Sequence, residues 1–225
     1  MAILCVGDSH NLDNYYLSII KDHEYSLQVG DLGLNYSKLR SANVNWCKNR
    51  AIAGNHDNYQ TDSPEHFAKQ PFFLGNYGLY VVDGKQIFYM RGGWSIDWYW
   101  RQEQQKQGGE PIWWEDEELF IEECDKAISL YTELKPDLVV THECPLEIVQ
   151  HVTDPTFVRR FGFTSGVIPT RTNQTLQTMF DIHQPAMWIF GHYHQRKEVS
   201  VKNTNFVCLD QIRGAKHKGC QIELS

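Results

Sequence analysis

Five short apolar runs in this chain stop at a glycine or threonine and hand over at once to Asp, Asn or His. Residues 2–6 lead into Gly7-Asp8, 25–29 into Gly30-Asp31, 50–53 into Gly54-Asn55, 138–140 into Thr141-His142, and 187–190 into Gly191-His192. Short, almost continuously apolar runs bounded by turn residues suit strands covered on both faces, the usual condition of parallel strands. Apolar residues at helix-compatible spacing over 12–20 separate the first two runs, which makes a βαβ unit. In open α/β sheets, ligands bind in the crevice outside the carboxyl ends of the strands. The repeated ending therefore predicts an α/β fold with its polar chemistry gathered along one edge.

Later segments add antiparallel pairing. Residues 79–82 and 86–90 flank Asp83-Gly84-Lys85, and an Asp-Gly pair supplies the positive φ angles of a tight hairpin. A weaker helix is expected over 36–47. The clearest helix is expected over 115–134, where apolar residues recur at three and four and acidic residues crowd the first turn before Pro136 ends it. A further helix over 172–183 precedes the fifth run, and final strands are expected over 205–209 and 220–224.

Composition narrows the class. With 225 residues and 41% hydrophobic content, one compact domain spanning 1–225 is expected. A net charge of -7 gives no basic footprint, so tight nonspecific binding to duplex DNA is disfavoured. No apolar stretch approaches the roughly 18 residues of a membrane span, and the start lacks a signal-peptide pattern. A soluble, cytoplasmic chain with no membrane partner is the expectation. The six cysteines are scattered without a CxxC pair, which suits reduced, mostly buried thiols better than a disulfide framework or a zinc ribbon.

Taken one at a time, the polar endings have ordinary explanations. Asp8 and His10 could make turn contacts, Asp31 between Gly30 and Gly33 could make a side-chain turn, and His142 could be a satisfied lone histidine. Their ordered combination is less easily dismissed, because Asp-x-His, Asp, Asn-His-Asp, His and His-x-His all fall at expected strand ends. On these residues the sequence resembles the calcineurin-like metallophosphoesterase family, whose five motifs run in this order across nearly the whole chain. The resemblance implies a four-layer fold, a two-sheet β-sandwich flanked by helices, with mixed parallel and antiparallel sheets. It implies that Asp8, His10, Asp31 and His194 hold one divalent metal ion. Asp31, Asn55, His142 and His192 would hold a second, with Asp31 as the bridge. Such donors suit manganese first, with Fe, Zn, Ni or Co as alternatives, and the set contains no thiolate.

By the same resemblance, a hydroxide shared by the two ions would attack phosphorus in line. His56 would protonate the departing oxygen, and Asp57 would orient His56. A scaffold such as the phosphoesterase-like retromer subunit lacks the catalytic histidine that His56 supplies here, and a metallo-β-lactamase-like hydrolase would need an HxHxDH run that this sequence does not contain. Ser/Thr protein phosphatases carry Asp-Arg-Gly after the second aspartate and GNHE in place of Gly54-Asn55-His56-Asp57, so the chain looks more like the phosphodiesterase-type branch. The segments Arg91-Gly92-Gly93-Trp94-Ser95-Ile96-Asp97 and Trp113-Trp114-Glu115 resemble a feature of small bacterial and phage members.

The aromatic residues from Trp94 to Trp114 have two readings. Either they pack a surface loop onto the core, or they wall the metal site. In the second reading Trp94 would stack a base, while Arg159 and Arg160, with Arg171, would grip a second phosphate. That favours a phosphodiester or nucleotide substrate, oligonucleotides included, over a phosphomonoester or phosphoprotein.

Overall fold

The computed structural model describes residues 2–214 and 218–224 of the chain. Strands β1 (Ile3–Val6), β2 (Tyr25–Gln28) and β3 (Asn49–Ala51) run parallel, with helices α1 (Asp13–Ile20) and α2 (Ser37–Ser41) in the crossovers. β4 (Tyr77–Val82) and β5 (Lys85–Met90) form the hairpin, turning at Asp83 and Gly84 with φ of 46° and 75°, as an Asp-Gly turn requires. Helices α3 (Trp98–Lys106) and α4 (Ile121–Leu134) lead to β6 (Leu138–Thr141). Helices α5 (Leu146–Val152), α6 (Pro155–Arg160) and α7 (Arg171–Ile182) lead to β7 (Met187–Phe190). Strands β8 (Lys197–Val201), β9 (Thr204–Cys208) and β10 (Gln221–Leu224) follow.

The strands make two sheets, in the orders β10-β1-β2-β3 and β4-β5-β6-β7-β9-β8. In the second sheet β5, β6, β7 and β9 are parallel, and β4 and β8 are antiparallel edges. Successive side chains of a strand point to opposite faces, so each sheet feeds two cores. Between the sheets, Ile3, Cys5 and Leu27 meet Val140, Ile189 and Val207. Outside the first sheet, Leu4 and Val6 pack against Tyr16, Ile20 and Leu39 of α1 and α2. Outside the second, Trp188 and Phe206 pack against Ala127, Tyr131 and Phe180 of α4 and α7. The result is the expected mixed-sheet sandwich with helices on both outer faces. None of the described helices is long and apolar enough to cross a membrane. All six cysteines are free thiols, and every one but Cys47 is buried.

Three differences from the sequence expectation have local causes. The helix expected over 36–47 shrinks to α2 because Asn45 competes for the backbone: its side chain accepts from the Cys47 N–H at 3.1 Å and its carbonyl from the Lys48 N–H at 3.0 Å. The helix expected from 115 begins at Ile121. Glu117 and Glu118 are buried ahead of it, Glu117 against Ser95 and Glu118 accepting the Thr172 N–H of α7 at 2.7 Å. Helix α3 and strand β8 were not foreseen, since neither contains a buried residue and so neither carries an apolar period.

Candidate metal centre

The parallel strands deliver the polar endings to one edge of the sandwich. Asp8 and His10 follow β1, Asp31 follows β2, Asn55 follows β3, His142 follows β6, and His192 and His194 follow β7. Hydrogen bonds stitch the two sheets together there. His142 Nδ1–H donates to the Val29 carbonyl at 2.8 Å, the His192 N–H to Asp8 Oδ2 at 3.0 Å, and the Gly92 N–H to the Ala53 carbonyl at 2.9 Å.

Ligand atoms of Asp8, His10, Asp31 and His194 all lie within 4.8 Å of one another. His10 Nε2 is 2.9 Å from His194 Nε2, and His194 Nε2 is 3.3 Å from Asp8 Oδ2. Asp31 Oδ2 is buried with no hydrogen-bond partner, an arrangement that is costly for a carboxylate oxygen unless a cation satisfies it. The donors Asn55, His142 and His192 converge beside this set. Asn55 Oδ1 is 3.0 Å from His142 Nε2 and 2.9 Å from His192 Nδ1, while Asp31 Oδ1 is 3.4 Å from His142 Nε2. With His142 Nδ1 committed to Val29, a neutral His142 presents the Nε2 lone pair to these oxygens. The residues therefore fit two divalent ions flanking Asp31.

The electrostatics are those of a site that wants positive charge. Burial disfavours a charged His142, yet Asp31 and Asp8 push it up to about 10. Burial and the neighbouring His142 hold His192 well below its ordinary range. Burial would raise Asp31, but His142, His56 and His10 together hold it well below the usual carboxylate range.

The glycines that end the apolar runs keep space open for these ligands. A Cβ on Gly54 would stand 2.2 Å from Asp31 Oδ1, and one on Gly191 would stand 2.1 Å from Asp8 Oδ1. Each glycine thus yields room to a ligand from another strand. His10, Asp31, His192 and His194 themselves adopt left-handed backbone, with φ of 46°, 61°, 67° and 51°. Such conformations cost on the order of 1 kcal/mol or more for each residue with a side chain.

Two supporting residues escaped the sequence reading. Asn55 Nδ2 donates to Ser95 Oγ at 3.0 Å, and Ser95 in turn donates from Oγ to Glu117 Oε2 at 2.9 Å and from N–H to Oε1 at 2.7 Å. This relay fixes which end of the Asn55 amide faces the histidines. Ser95→Ala should weaken metal binding at the Asn55 position about 10- to 100-fold and spare the Asp8 position. Calorimetric metal titration should then resolve two unequal steps, whereas an unaltered titration would show that the relay has no such role.

Asp57 does not orient the His56 ring. Its Oδ2 accepts from the Asp31 N–H at 2.9 Å and the Gly54 N–H at 2.7 Å, and its Oδ1 from the Gly33 N–H at 3.1 Å and the Tyr36 O–H at 2.8 Å. It pins the loops after β2 and β3 together. The acidic charges that reach His56 come from Asp31 and Asp97. Asp57→Ala would strand three amides and a phenol, at about 1–3 kcal/mol for each buried group. A large fall in Tm with loss of metal is expected, and a selective loss of turnover at unchanged Tm would contradict this assignment.

A cleft of about 540 Å³ opens beside Asn55, His56, His192 and His194. Trp94 lines it together with Ile96, Val152, Phe157 and Phe161. Arg159 and Arg160 do not line it: α6 presents Phe157 and Val158 to the cleft and leaves both arginines exposed. Arg171 is also elsewhere, donating to the Glu118 carbonyl at 3.3 Å beside the Phe120 ring. Arg101 of α3 instead brings a basic group to the site, sharing a second groove with His10, His56 and His194. Its Nε donates to Asp97 Oδ1 at 2.7 Å and its Nη1 to the Ile112 carbonyl at 3.0 Å. The other aromatics divide between packing and exposure. Trp114 lies 6.2 Å from the Tyr59 ring and Trp98 lies 6.3 Å from Trp113, while Tyr99 and Trp100 are exposed.

Nitrogen and oxygen donors thus gather at the strand ends of a four-layer sandwich as a candidate metal site. Residues 1–196 match the family described as calcineurin-like phosphoesterase, and the chain belongs to that family. Among solved structures, phosphopantetheinyl hydrolase of Mycobacterium tuberculosis shares the fold at a TM-score of 0.53 and 11% identity, over 99% of this chain and 95% of that one. A protein of Streptococcus pneumoniae described as a predicted phosphoesterase is 14% identical over 100% of this chain and 83% of that one, with a TM-score of 0.43. No curated protein matches the chain.

Proposed function

We propose that the chain is a dinuclear metal-dependent phosphoester hydrolase, with 1–225 forming one catalytic domain. The observation that carries this reading is Asp31, whose Oδ2 is buried without a donor on the Asp8 side while Oδ1 faces His142. Two divalent ions held there, manganese foremost, would lower the pKa of a shared water and neutralise phosphoryl oxygens. The chain's own groups hold the ligands in place beforehand: Val29 fixes the His142 ring and Ser95 fixes the Asn55 amide.

His56 stands beside the ligands and borders both grooves, its ring 5.4 Å from that of His10. Burial lowers it to about 4 against the opposing pull of Asp31. Negative phosphate oxygens brought next to it favour the imidazolium for the same reason that Asp31 does. In this reading His56 would be the group that carries a proton to the departing oxygen.

Strands β8, β9 and β10 follow residue 196 and complete both sheets, which supports the single-domain reading. Six free thiols suit a reducing compartment, and we assign the chain to the cytoplasm. A phosphodiester or nucleotide substrate is favoured by Trp94, whose indole offers a stacking face in the cleft, with a phosphomonoester as the alternative. Chelated protein should be inactive, and reconstitution with Mn, Fe, Zn, Ni or Co should restore hydrolysis in a screen of phosphomonoesters, cyclic nucleotides and diesters. Full activity in metal-free protein would overturn the reading.

A further inference from the structure

We infer that the part of the substrate filling the 540 Å³ cleft carries no second phosphate and is an uncharged, largely apolar organic group. This rests on the phosphoester-hydrolase reading above. Among the described residues no lysine or arginine lines the cleft, and away from the histidines its apolar walls are Trp94, Ile96, Val149, Val152, Phe157 and Ile168. A second phosphate placed there would lose its water and meet apolar surface and carboxylates, a desolvation cost with nothing to offset it.

Helix N-termini are the other common anion sites in proteins; of the three that meet this cleft, that of α3 carries the Asp97 carboxylate at its N-cap position, and those of α6 and α7 are already capped. Asp154 caps α6, accepting the Thr156 N–H at 2.8 Å. Thr170 caps α7 by accepting the Asn173 N–H at 3.0 Å, and Asn173 Oδ1 accepts the Thr170 N–H in return. The carboxylates facing the cleft are likewise engaged: Asp97 by Arg101 and Glu143 by Thr170 and Asn173. Each carboxylate among the described lining residues thus already has a donor within the protein. At the lip, the Phe157 and Phe161 rings lie 5.2 Å apart and are 48% and 41% exposed. Exposed rings beside a catalytic cleft are the surface that an apolar ligand would cover.

The test uses the full chain reconstituted with metal and phosphate esters, as monoesters and as methyl diesters, whose variable group is methyl, benzyl or a phosphate-bearing propyl chain. The benzyl esters should exceed the methyl esters in kcat/KM by about tenfold or more, and the phosphate-bearing esters should fall below both. Phe157→Ala should bring the benzyl-to-methyl ratio toward one. Phe157→Arg, at a half-exposed position that tolerates charge, should selectively raise kcat/KM for the phosphate-bearing esters. Wild-type preference for the phosphate-bearing esters would overturn the inference while leaving the hydrolase reading intact. Failure to hydrolyse any ester with any metal would instead overturn the hydrolase reading, and this inference with it.

Discussion

Asp31→Asn should empty both metal positions at once and abolish turnover. The substitution is nearly isosteric, and the amide oxygen can still accept the His56 N–H that Asp31 Oδ1 now receives at 2.8 Å, so the loop after β2 keeps its shape. What disappears is the negative charge between His10 on one side, 3.7 Å from Oδ2, and His142 on the other, 3.4 Å from Oδ1. Residues that merely support a metal ligand cost about 10- to 100-fold in affinity or activity when removed. A shared ligand should cost at least about a hundredfold at each position. Elemental analysis should find little metal, and the rise in Tm that metal gives the wild-type chain by binding the folded state should vanish. Retention of two ions per chain with substantial activity would refute the bridging role.

His56→Ala should give the opposite pattern, with metal content kept and turnover lost. The backbone N–H that reaches Asp31 survives in the variant, and the ring is not part of either donor set. General acid catalysis is worth roughly 10²–10⁴ in rate, and that loss should appear with alkyl esters whose departing oxygen needs a proton. An aryl leaving group of low pKa needs little protonation, so the deficit should shrink across a series of activated esters. Loss of metal, with undiminished chemistry in the metal-loaded fraction, would make His56 a ligand instead of the acid.

The gathering of these donor side chains at one sheet edge was legible in the sequence because its signature is local. A glycine that must vanish before a neighbouring carboxylate, as Gly54 does before Asp31, has to stand beside the strand end that carries the next ligand. The residues that serve those ligands have no such signature. Glu117 reads as the acidic first turn of a helix, yet it belongs to Ser95, 22 positions earlier. Asp57 suggested a partner for His56 by adjacency, whereas its oxygens are filled by amides of the loop after β2 and of its own loop and by a tyrosine. Arg159 and Arg160 lie close in sequence to the cleft-lining Phe157 and Val158, but a helix as short as α6 gives no apolar period from which to tell its inner side. Arg101 was hidden for the same reason, since α3 buries nothing.

The first and last of the described strands are neighbours beside this site. β1, which leads to Asp8 and His10, is flanked in its sheet by β2 and by β10, and His10 touches His194 across 184 positions of sequence. Ribosomes add about 5–20 residues per second, so on the order of ten seconds or more separates the synthesis of His10 from that of His194. Throughout that interval one edge of β1 has no partner from β10, and an unpaired edge is an invitation to wrong pairing. The ion set of Asp8, His10, Asp31 and His194 cannot be completed during it either. Completion of that set accordingly waits until the chain has grown past His194 and comes after the first steps of its folding.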